Sequence, residues 1–501
     1  MPFGIGAWIF IGIYLCSLIG IGILGKRARK EDTLSDFYLA GNGFGFAVLF
    51  LTLFATQYSG NTFFAFTGAT YRIGYAWIVS LHFMTAVIVC YLIYAPRLYV
   101  LAKERGYVTP SDYVEDRFRN KVLTVLVTLT LIVVLCNFLL AQLMAMGRAM
   151  QGLAEINQDM AYIGGVVVLA LIMVIYGTLG GLRAVAWTDA IQGVILALGF
   201  GVLLVLLFER YGPLVDATQV LMARDLANGT NKALPPTALQ YREWLSYILT
   251  AGFAVSLYPQ AIQRIYAARS GFALRRSLAV MAFMPLPTMI IALIAGIMAA
   301  AYIPGLEGAA SDQIFGRVLR DIQAHSALGY GLVVVLLSAV LAAMMSTADS
   351  ALLSISSMFT KDIYARFLCP DASQTHLTRV AKTCSWCMIA ALVLLAIALR
   401  NHASLVALMD RKLDLLIQMV PIFMVGLRWP GLAGGPALAG LCAGITIAML
   451  LAFGNFDFVH NGKVEGFHPG LIALIPNLAI AVIGSKRANA LASEKLEPGD
   501  A

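Results

Sequence analysis

One face of a predicted helix in the apolar segment 329–359 carries oxygen atoms and little bulk. Positions i, i+3, i+4 and i+7 share that face, and they hold Ala343, Ser346, Thr347 and Ser350. Small side chains leave backbone carbonyl groups accessible, and the hydroxyl groups add further oxygens of the kind that ligates Na⁺ in proteins. The pattern therefore favours a site for a monovalent cation. The alternative is a packed helix whose hydroxyl groups bond their own carbonyl groups four residues back.

Two carboxyl groups in apolar segments favour the ion-site hypothesis. Asp349 lies three residues after Ser346, and an acid at membrane depth is costly enough to mark an ion, proton or substrate path. Asp189 lies about one turn inside the cytoplasmic end of segment 185–208, where an exit route for an ion would begin. The alternative for Asp189 is a solvated acid that interacts favourably with the helix dipole.

Two apolar segments are interrupted near their middle by polar residues together with glycine or proline. Segment 44–71 breaks at residues 55–62, and segment 244–267 breaks at residues 256–260. Backbone that leaves a helix at membrane depth must face protein or a watery cavity, because lipid cannot bond its polar groups. Breaks at matching positions in two halves of a chain indicate a substrate and ion site. Close packing of small residues is the alternative.

About thirteen apolar segments must position these residues, and each is long enough to cross a bilayer as a helix. They lie at about 5–25, 44–71, 74–96, 121–147, 162–180, 185–208, 244–267, 278–303, 329–359, 379–399, 403–427, 431–453 and 468–485. The broken segments are the second and the seventh, which is the spacing expected for two five-helix repeats of inverted topology. The sequence thus predicts an all-α integral membrane fold, a five-plus-five inverted repeat with two discontinuous helices.

This fold is predicted to form a single transmembrane domain over residues 1–486, followed by a cytoplasmic tail over 487–501. The first repeat covers about 44–208. The second repeat covers about 244–453. When only five helices are counted, its last span, 431–453, is left out.

Composition and charge agree with a multi-pass membrane protein. Of the 501 residues, 60% are hydrophobic and only 12% are charged, which excludes a soluble two-domain enzyme. With the N-terminus outside and the C-terminus in the cytoplasm, about two thirds of the Lys and Arg residues lie on the inner side, as the positive-inside tendency requires. The net charge of +8 is therefore a topology signal, and no nucleic-acid partner is expected.

Motifs for catalysis are missing from the sequence. The six His residues form no metal-spaced group, so an enzyme is not expected. Asn137 and Gln418, in two further apolar segments, each fit either a solute contact or a hydrogen bond to a neighbouring helix. No Lys or Arg is identified at mid-membrane in any segment.

Short motifs along the chain resemble the sodium/solute symporter family, whose members include proline, pantothenate, monocarboxylate and sialic acid symporters. The matching stretches follow one another over about residues 30–440: 36–41, 55–60, 106–113, 176–184, 263–264, 345–350, 361–364 and 421–427. One such motif would be weak evidence, and the ordered set is specific. The resemblance implies a multi-pass protein of the plasma (inner) membrane that moves a small solute together with Na⁺ by alternating access.

The resemblance also implies binding residues. The family's main Na⁺ site corresponds to the carbonyl groups of Ala55, Tyr58 and Ala343 and to the hydroxyl groups of Ser346 and Thr347. A second cation site or release route corresponds to Asp189, Ser346, Asp349 and Ser350. The positions implied to face the solute are Gln57, Ser59, Asn61, Thr62, Asn137, Tyr258, Gln260 and Gln418. Proline symporters have an acid at the position of Gln57, which disfavours proline as the solute.

The family's usual substrates favour an organic acid or an amino-acid-like solute, and the sequence indicates no oligomeric state. Two alternatives stay open. Proton coupling on the same scaffold would use Asp189 or Asp349 as the proton carrier. A sensor built on the transporter fold would carry an appended signalling domain, for which the roughly 15 residues after 486 offer no room.

Overall fold

A computed structural model describes residues 4–29, 31, 33–58, 60–154, 157–325, 327–400, 405–454, 456–460 and 462–494. The α-helices in chain order are α1 (Gly4–Arg27), α2 (Leu34–Leu39), α3 (Phe46–Gln57), α4 (Gly60–Ile73), α5 (Val79–Arg105), α6 (Pro110–Phe118), α7 (Lys121–Leu153), α8 (Gln158–Tyr211), α9 (Leu214–Asn228), α10 (Ala238–Ser256), α11 (Pro259–Ala267), α12 (Gly271–Met281), α13 (Pro285–Tyr302), α14 (Ile314–His325), α15 (Ala327–Met358), α16 (Gln374–Ala398), α17 (Leu405–Leu416), α18 (Gly426–Arg428), α19 (Gly434–Phe453) and α20 (Pro469–Glu494). Short 3₁₀ turns lie at Ala40–Asn42, Gly74–Ile78, Gly308–Gln313 and Ile417–Met419, and π-helical stretches lie at Phe359–Leu368 and Pro421–Val425. The strands β1 (Val459–His460) and β2 (Lys463–Val464) pair antiparallel.

Long apolar helices dominate this architecture, as the sequence predicts for an all-α integral membrane protein. Within the described ranges, eight helices are long and apolar enough to cross a bilayer, and the bent pair α10 and α11 makes a ninth. Helix α8 is one helical run where the sequence predicts two segments, and Gly181, at φ +61°, kinks it between them. A left-handed conformation of this kind suits glycine because it has no Cβ. The count of thirteen crossings and the inverted repeat stay predictions.

Both broken helices are interrupted at the expected positions. Helix α3 ends at Gln57, the backbone of Tyr58 is non-helical at φ −112° and ψ 72°, and α4 begins at Gly60. Helix α10 ends at Ser256 and α11 begins at Pro259, with a bend of 49° between them. Proline suits the first position of a helix, because the N–H that it lacks would have no intrahelical partner there.

Helices α8 and α15 lie at the centre of the bundle. Helix α8 packs against α1, α3, α7 and α15, and α15 also packs against α7 and α16. Buried polar side chains stand on both helices, among them Asp189 and Gln192 on α8 and Ser346 and Asp349 on α15. Because burying a polar group is costly unless it is bonded or binds a ligand, the candidate site lies at this interface.

Candidate ion and solute site

The end of α3 meets α15 at the first break. Thr347 Oγ1 donates a hydrogen bond to the carbonyl oxygen of Ala55 at 3.0 Å. The last carbonyl groups of a helix have no intrahelical N–H partner, so the break in α3 makes this oxygen available to α15. Ser346 is fully buried, and its hydroxyl group has no hydrogen-bond partner within the described part of the chain. Tyr58 is buried at the same break.

The structure thus brings Ala55 of α3 into contact with the α15 face that carries Ser346 and Thr347. Ala343, the remaining predicted ligand, lies one turn before Thr347 in α15, and its side chain lies outside the described atoms. Carbonyl and hydroxyl oxygens contributed by two helices are the neutral ligands that suit Na⁺. The ligand roles themselves stay predictions.

A buried arginine on α11 connects α3, α8 and α15. The Arg264 guanidinium donates to Asp189 Oδ2 at 2.9 Å and to Ser350 Oγ at 2.7 Å. A further bond runs from Arg264 Nε to Thr52 Oγ1 at 2.9 Å. Arg264 and Asp189 are both 0% exposed, and a buried ion pair is tolerated only when hydrogen bonds of this kind satisfy both partners.

The second predicted group of residues also meets between α8 and α15. Asp349 is 1% exposed and lies against α8 at Gly177, where a Cβ would come within 2.0 Å of Asp349 Oδ1. Glycine is therefore required for this close approach. Ser350 Oγ donates to the carbonyl oxygen of Ser346 at 2.9 Å. A hydroxyl group bonded to the carbonyl four residues back in its own helix is the alternative to an ion ligand that the sequence analysis left open. Arg264 lies among these residues, a position that the sequence did not predict.

A cavity lies beside the two breaks. Three of the predicted solute residues line it, namely Gln57, Thr62 and Tyr258. Lys412 of α17 also lines the cavity and is 3% exposed, and its Nζ lies 4.1 Å from the centre of the Phe138 ring. Lys412 lies in the predicted segment 403–427, and it was not identified from the sequence as a buried residue.

The other predicted solute residues are not among those that line the cavity. Gln418 donates to the Gly470 carbonyl at 2.8 Å and accepts from Asn477 at 3.1 Å, so it bonds α20 at two positions. Asn137 and Gln260 lie in α7 and α11. Ser59, and the side chain of Asn61, lie outside the described part of the chain.

The π-helical stretch after α15 contacts α6 on the side predicted to be cytoplasmic. Lys361 forms an ion pair with Asp112, and Thr109 Oγ1 donates to Asp362 Oδ1 at 2.9 Å. Burial raises the pKa of the Asp362 carboxyl from its ordinary 3.8 to about 7, and the nearby Asp112 carboxylate adds to the rise. These contacts join the end of α15, the candidate ion-binding helix, to the segment between α5 and α7 that contains α6.

Comparison of the sequence with known protein families identifies a family whose fold and site agree with those described above. A model described as "Sodium:solute symporter family" matches residues 37–444. The chain therefore belongs to the sodium:solute symporter family. This membership makes it a membrane transporter of the symport type with Na⁺ as the coupling ion, as the sequence motifs predict.

Curated relatives match over nearly the whole chain. A sodium/glucose cotransporter of Vibrio parahaemolyticus is 27% identical over 469 residues, which cover 88% of this chain and 84% of that protein. A sodium/pantothenate symporter of Escherichia coli (strain K12) is 26% identical over 481 residues, which cover 94% and 95%. A sodium/proline symporter of Staphylococcus aureus (strain bovine RF122 / ET3-1) is 24% identical, with coverage of 95% and 91%.

Solved structures show that the fold is shared more widely than the sequence. A Na⁺-coupled sialic acid symporter, solved in a substrate-bound outward-open state, superposes with a TM-score of 0.75 at 18% identity, over 97% of this chain and 98% of that one. A nucleobase-cation-symport-1 family transporter in a closed conformation superposes with a TM-score of 0.55 at 12% identity, over 91% and 95%. At these identities the likeness concerns the fold alone.

Proposed function

We propose that this chain carries a small organic acid or an amino-acid-like solute across the plasma membrane together with Na⁺, by alternating access. The observation that carries the proposal is the 3.0 Å contact between Thr347 and Ala55, close in sequence to Gln57 in the cavity wall. An ion bound at that contact holds the break in α3 in one conformation. Because the same break forms part of the cavity wall, ion binding and solute binding are coupled through one stretch of backbone.

The proposed Na⁺ ligands are the carbonyl groups of Ala55, Tyr58 and Ala343 and the hydroxyl groups of Ser346 and Thr347. The Thr347 hydroxyl and the Ala55 carbonyl are bonded to each other, and an ion between them replaces that bond with two ion contacts. The Ser346 hydroxyl, which is buried without a hydrogen-bond partner among the described residues, supplies a further oxygen. The support for this set is the meeting of α3 and α15 together with the family membership.

Asp189 is proposed to lie on the route by which Na⁺ leaves towards the cytoplasm. The other proposed role, a second cation site with Ser346, Asp349 and Ser350, requires a cation where the Arg264 guanidinium already bonds Asp189 and Ser350. The release route is therefore the better supported of the two roles. In the transport cycle, Na⁺ favours the outward-open state, the solute closes the outer path, and low internal Na⁺ concentration empties the site inward.

The proposed topology has thirteen crossings in one domain over residues 1–486, with the N-terminus outside and the C-terminal tail in the cytoplasm. The kink at Gly181 divides α8 into two crossings, and the 3₁₀ turn at Gly74–Ile78 separates α4 from α5. The two broken helices are the first helices of two inverted five-helix repeats. The similar position and form of the two breaks support that assignment.

Proton coupling is the second candidate, and Asp349 is the observation in its favour. The Asp349 Oδ2 atom is buried and has no hydrogen-bond partner in the described ranges. A buried carboxyl group with one oxygen left without a bond partner is suited to carry a proton. Under this alternative the fold and the cavity keep their roles, and only the driving ion changes.

Uptake into proteoliposomes distinguishes the two candidates. Radiolabelled propionate, lactate and pantothenate are offered under an inward Na⁺ gradient at equal pH, and under an inward proton gradient in sodium-free buffer. We expect the Na⁺ gradient to drive accumulation and Asp349→Asn to retain a Na⁺ response. Accumulation driven by the proton gradient alone, and lost in Asp349→Asn, would replace the proposal with proton symport.

A further inference from the structure

Lys412 is a buried lysine that lines the cavity beside the two helix breaks. Its side chain is 3% exposed, and it lines the cavity together with Gln57 and Tyr258. The ammonium nitrogen lies 4.1 Å from the centre of the Phe138 ring and 5.5 Å from that of Tyr258. In the part of the chain that the structure describes, Lys412 Nζ has no hydrogen-bond acceptor and no carboxylate within 4.0 Å.

Arg264 and Arg411, two other buried or half-buried cations, differ from Lys412 because each has a carboxylate partner. Arg264 pairs with Asp189 at 2.9 Å, and Arg411 pairs with Asp414 at 3.1 Å. A buried ammonium ion without such a partner is costly, and contacts with aromatic ring faces offset only part of that cost. An anion bound in the cavity would offset the remainder of that cost.

The acids nearest to Lys412 along α17 are committed to other groups. Successive α-helical residues are about 100° apart, so residues two positions away lie on nearly opposite faces. Asp410 accepts a hydrogen bond from Tyr247 at 3.2 Å, and Asp414 pairs with Arg411 at 3.1 Å. Neither Asp410 nor Asp414 is among the residues that line the cavity.

We propose that Lys412 binds the carboxylate of the transported solute, which places the substrate among small carboxylic acids. This inference rests on the proposed function, and it deepens it by assigning the substrate class and the residue that recognises it. The carboxylate takes the position in the cavity that satisfies the Lys412 ammonium group with charge-assisted hydrogen bonds. Phe138 and Tyr258 then pack against the apolar part of the solute, while Gln57 and Thr62 contact its polar groups.

The location of the first break supports an anion in this cavity. Thr62 lines the cavity and lies in the first turn of α4, which begins at Gly60. The N-terminus of a helix carries a partial positive charge and unbonded N–H groups. Lys412 on one wall and the start of α4 on another therefore give the cavity a positive potential on both sides.

Matched pairs of an acid and its primary amide test this assignment. The pairs are propionate and propionamide, lactate and lactamide, and phenylacetate and phenylacetamide, with glucose and proline as neutral and zwitterionic probes. Thermal stabilisation of the purified full-length protein is measured in sodium-containing buffer for each probe. We expect stabilisation by at least one acid and none by its amide, because the amide has the same shape without the charge.

The acid that stabilises the protein is then titrated against three variants. Lys412→Gln is expected to weaken its binding by about 10- to 100-fold, the loss typical of one charged hydrogen bond, while Lys412→Arg retains most of the affinity. Lys121→Gln, at an exposed position on α7, is the control and should bind as wild type. Stabilisation by Na⁺ alone should be unchanged in Lys412→Gln, which shows that the variant folds and keeps its ion site.

Two results would overturn the assignment without touching the proposed symport. One is Na⁺-dependent binding or uptake of glucose or of an amide with wild-type affinity in Lys412→Gln. The other is equal binding of an acid and its amide by the wild-type protein. By contrast, acid uptake that needs Lys412 and proceeds at full rate without Na⁺ would support the carboxylate contact and contradict the proposed Na⁺ coupling.

Discussion

Thr347 Oγ1 of α15 donates a hydrogen bond to the Ala55 carbonyl oxygen of α3 at 3.0 Å, across the point where α3 stops being helical. This contact joins the helix that carries the hydroxyl groups to the helix that is broken beside the cavity. A shift of either helix would therefore alter this contact.

The double variant Ser346→Ala, Thr347→Ala is expected to lose sodium-stimulated uptake while still reaching the membrane. Both side chains are buried, and removing both hydroxyl groups leaves the proposed site short of two oxygen ligands. Uptake in proteoliposomes at several Na⁺ concentrations is the measurement. Ser338→Ala is the control on the same helix, because that hydroxyl bonds the Val334 carbonyl of its own helix at 2.9 Å. Normal Na⁺ dependence in the double variant would refute the ligand assignment.

Gly177→Ala is expected to lower both the stability of the protein and its Na⁺-stimulated uptake. The new Cβ would lie 2.0 Å from Asp349 Oδ1, so the carboxylate or the α8–α15 contact must shift, at a cost of about 1–3 kcal/mol. Gly164→Ala is the matched control in the same helix, since nothing lies within 4 Å of its added Cβ. Thermal unfolding and uptake are measured for both. Equal behaviour of the two variants would show that Asp349 does not need its place against α8.

Arg264→Met is expected to destabilise the protein by about 3–5 kcal/mol, because it leaves the Asp189 carboxylate buried without its cation. In the double variant Asp189→Leu, Arg264→Met no charge is left unpaired, and we expect part of the stability to return. A double-mutant cycle from denaturant or thermal unfolding measures the coupling between the two residues. Additive effects would mean that the 2.9 Å ion pair contributes little.

The pKa of Asp362 predicts a pH-dependent stability at the inner end of α15. Because burial raises this pKa from 3.8 to about 7, the folded protein holds a proton over an interval in which the unfolded chain has released it. Stability should therefore fall as the pH rises from about 4 to about 7 and level off above that range. Asp362→Asn stays neutral and should lose less stability across the interval. Unfolding temperatures across this pH range test the point, with Asp371→Asn at an exposed position as the control.

If the unfolding temperatures of wild type and Asp362→Asn change with pH by the same amount, the Asp362 carboxyl does not hold the extra proton. A difference confined to the interval below about pH 7 supports the predicted direction. The Asp371→Asn control should follow wild type throughout, since that side chain is exposed.

The sequence predicted the two helix breaks, because polar residues together with glycine or proline inside an apolar run indicate where a helix is interrupted. The break at Tyr58 and the one before Pro259 lie where expected. The face that carries Ser346 and Thr347 follows from helical spacing alone, and α15 does present it to α3. The sequence pattern could not predict the hydrogen-bond partner of each hydroxyl group, because contacts between distant residues depend on how the helices pack.

The buried cations show the limit of that reasoning. Arg264 lies toward one end of its apolar segment, where a charged side chain is ordinarily solvated, and Lys412 lies nearer the middle of segment 403–427. Only the packing of α11 and α17 shows that both are buried, one paired with Asp189 and the other facing the cavity. The fusion of two predicted segments into α8 was also hidden, because the kink at Gly181 needs no polar residue.

We propose that Na⁺ at the α3–α15 contact and the solute in the neighbouring cavity bind cooperatively. The most direct measurement is a pair of titrations on purified protein, solute affinity at increasing Na⁺ and Na⁺ affinity at increasing solute. Our account predicts that each ligand raises the affinity of the other by the same factor, and that the factor falls to about one in Ser346→Ala, Thr347→Ala. Solute affinity that does not change with Na⁺ concentration in the wild-type protein would contradict it.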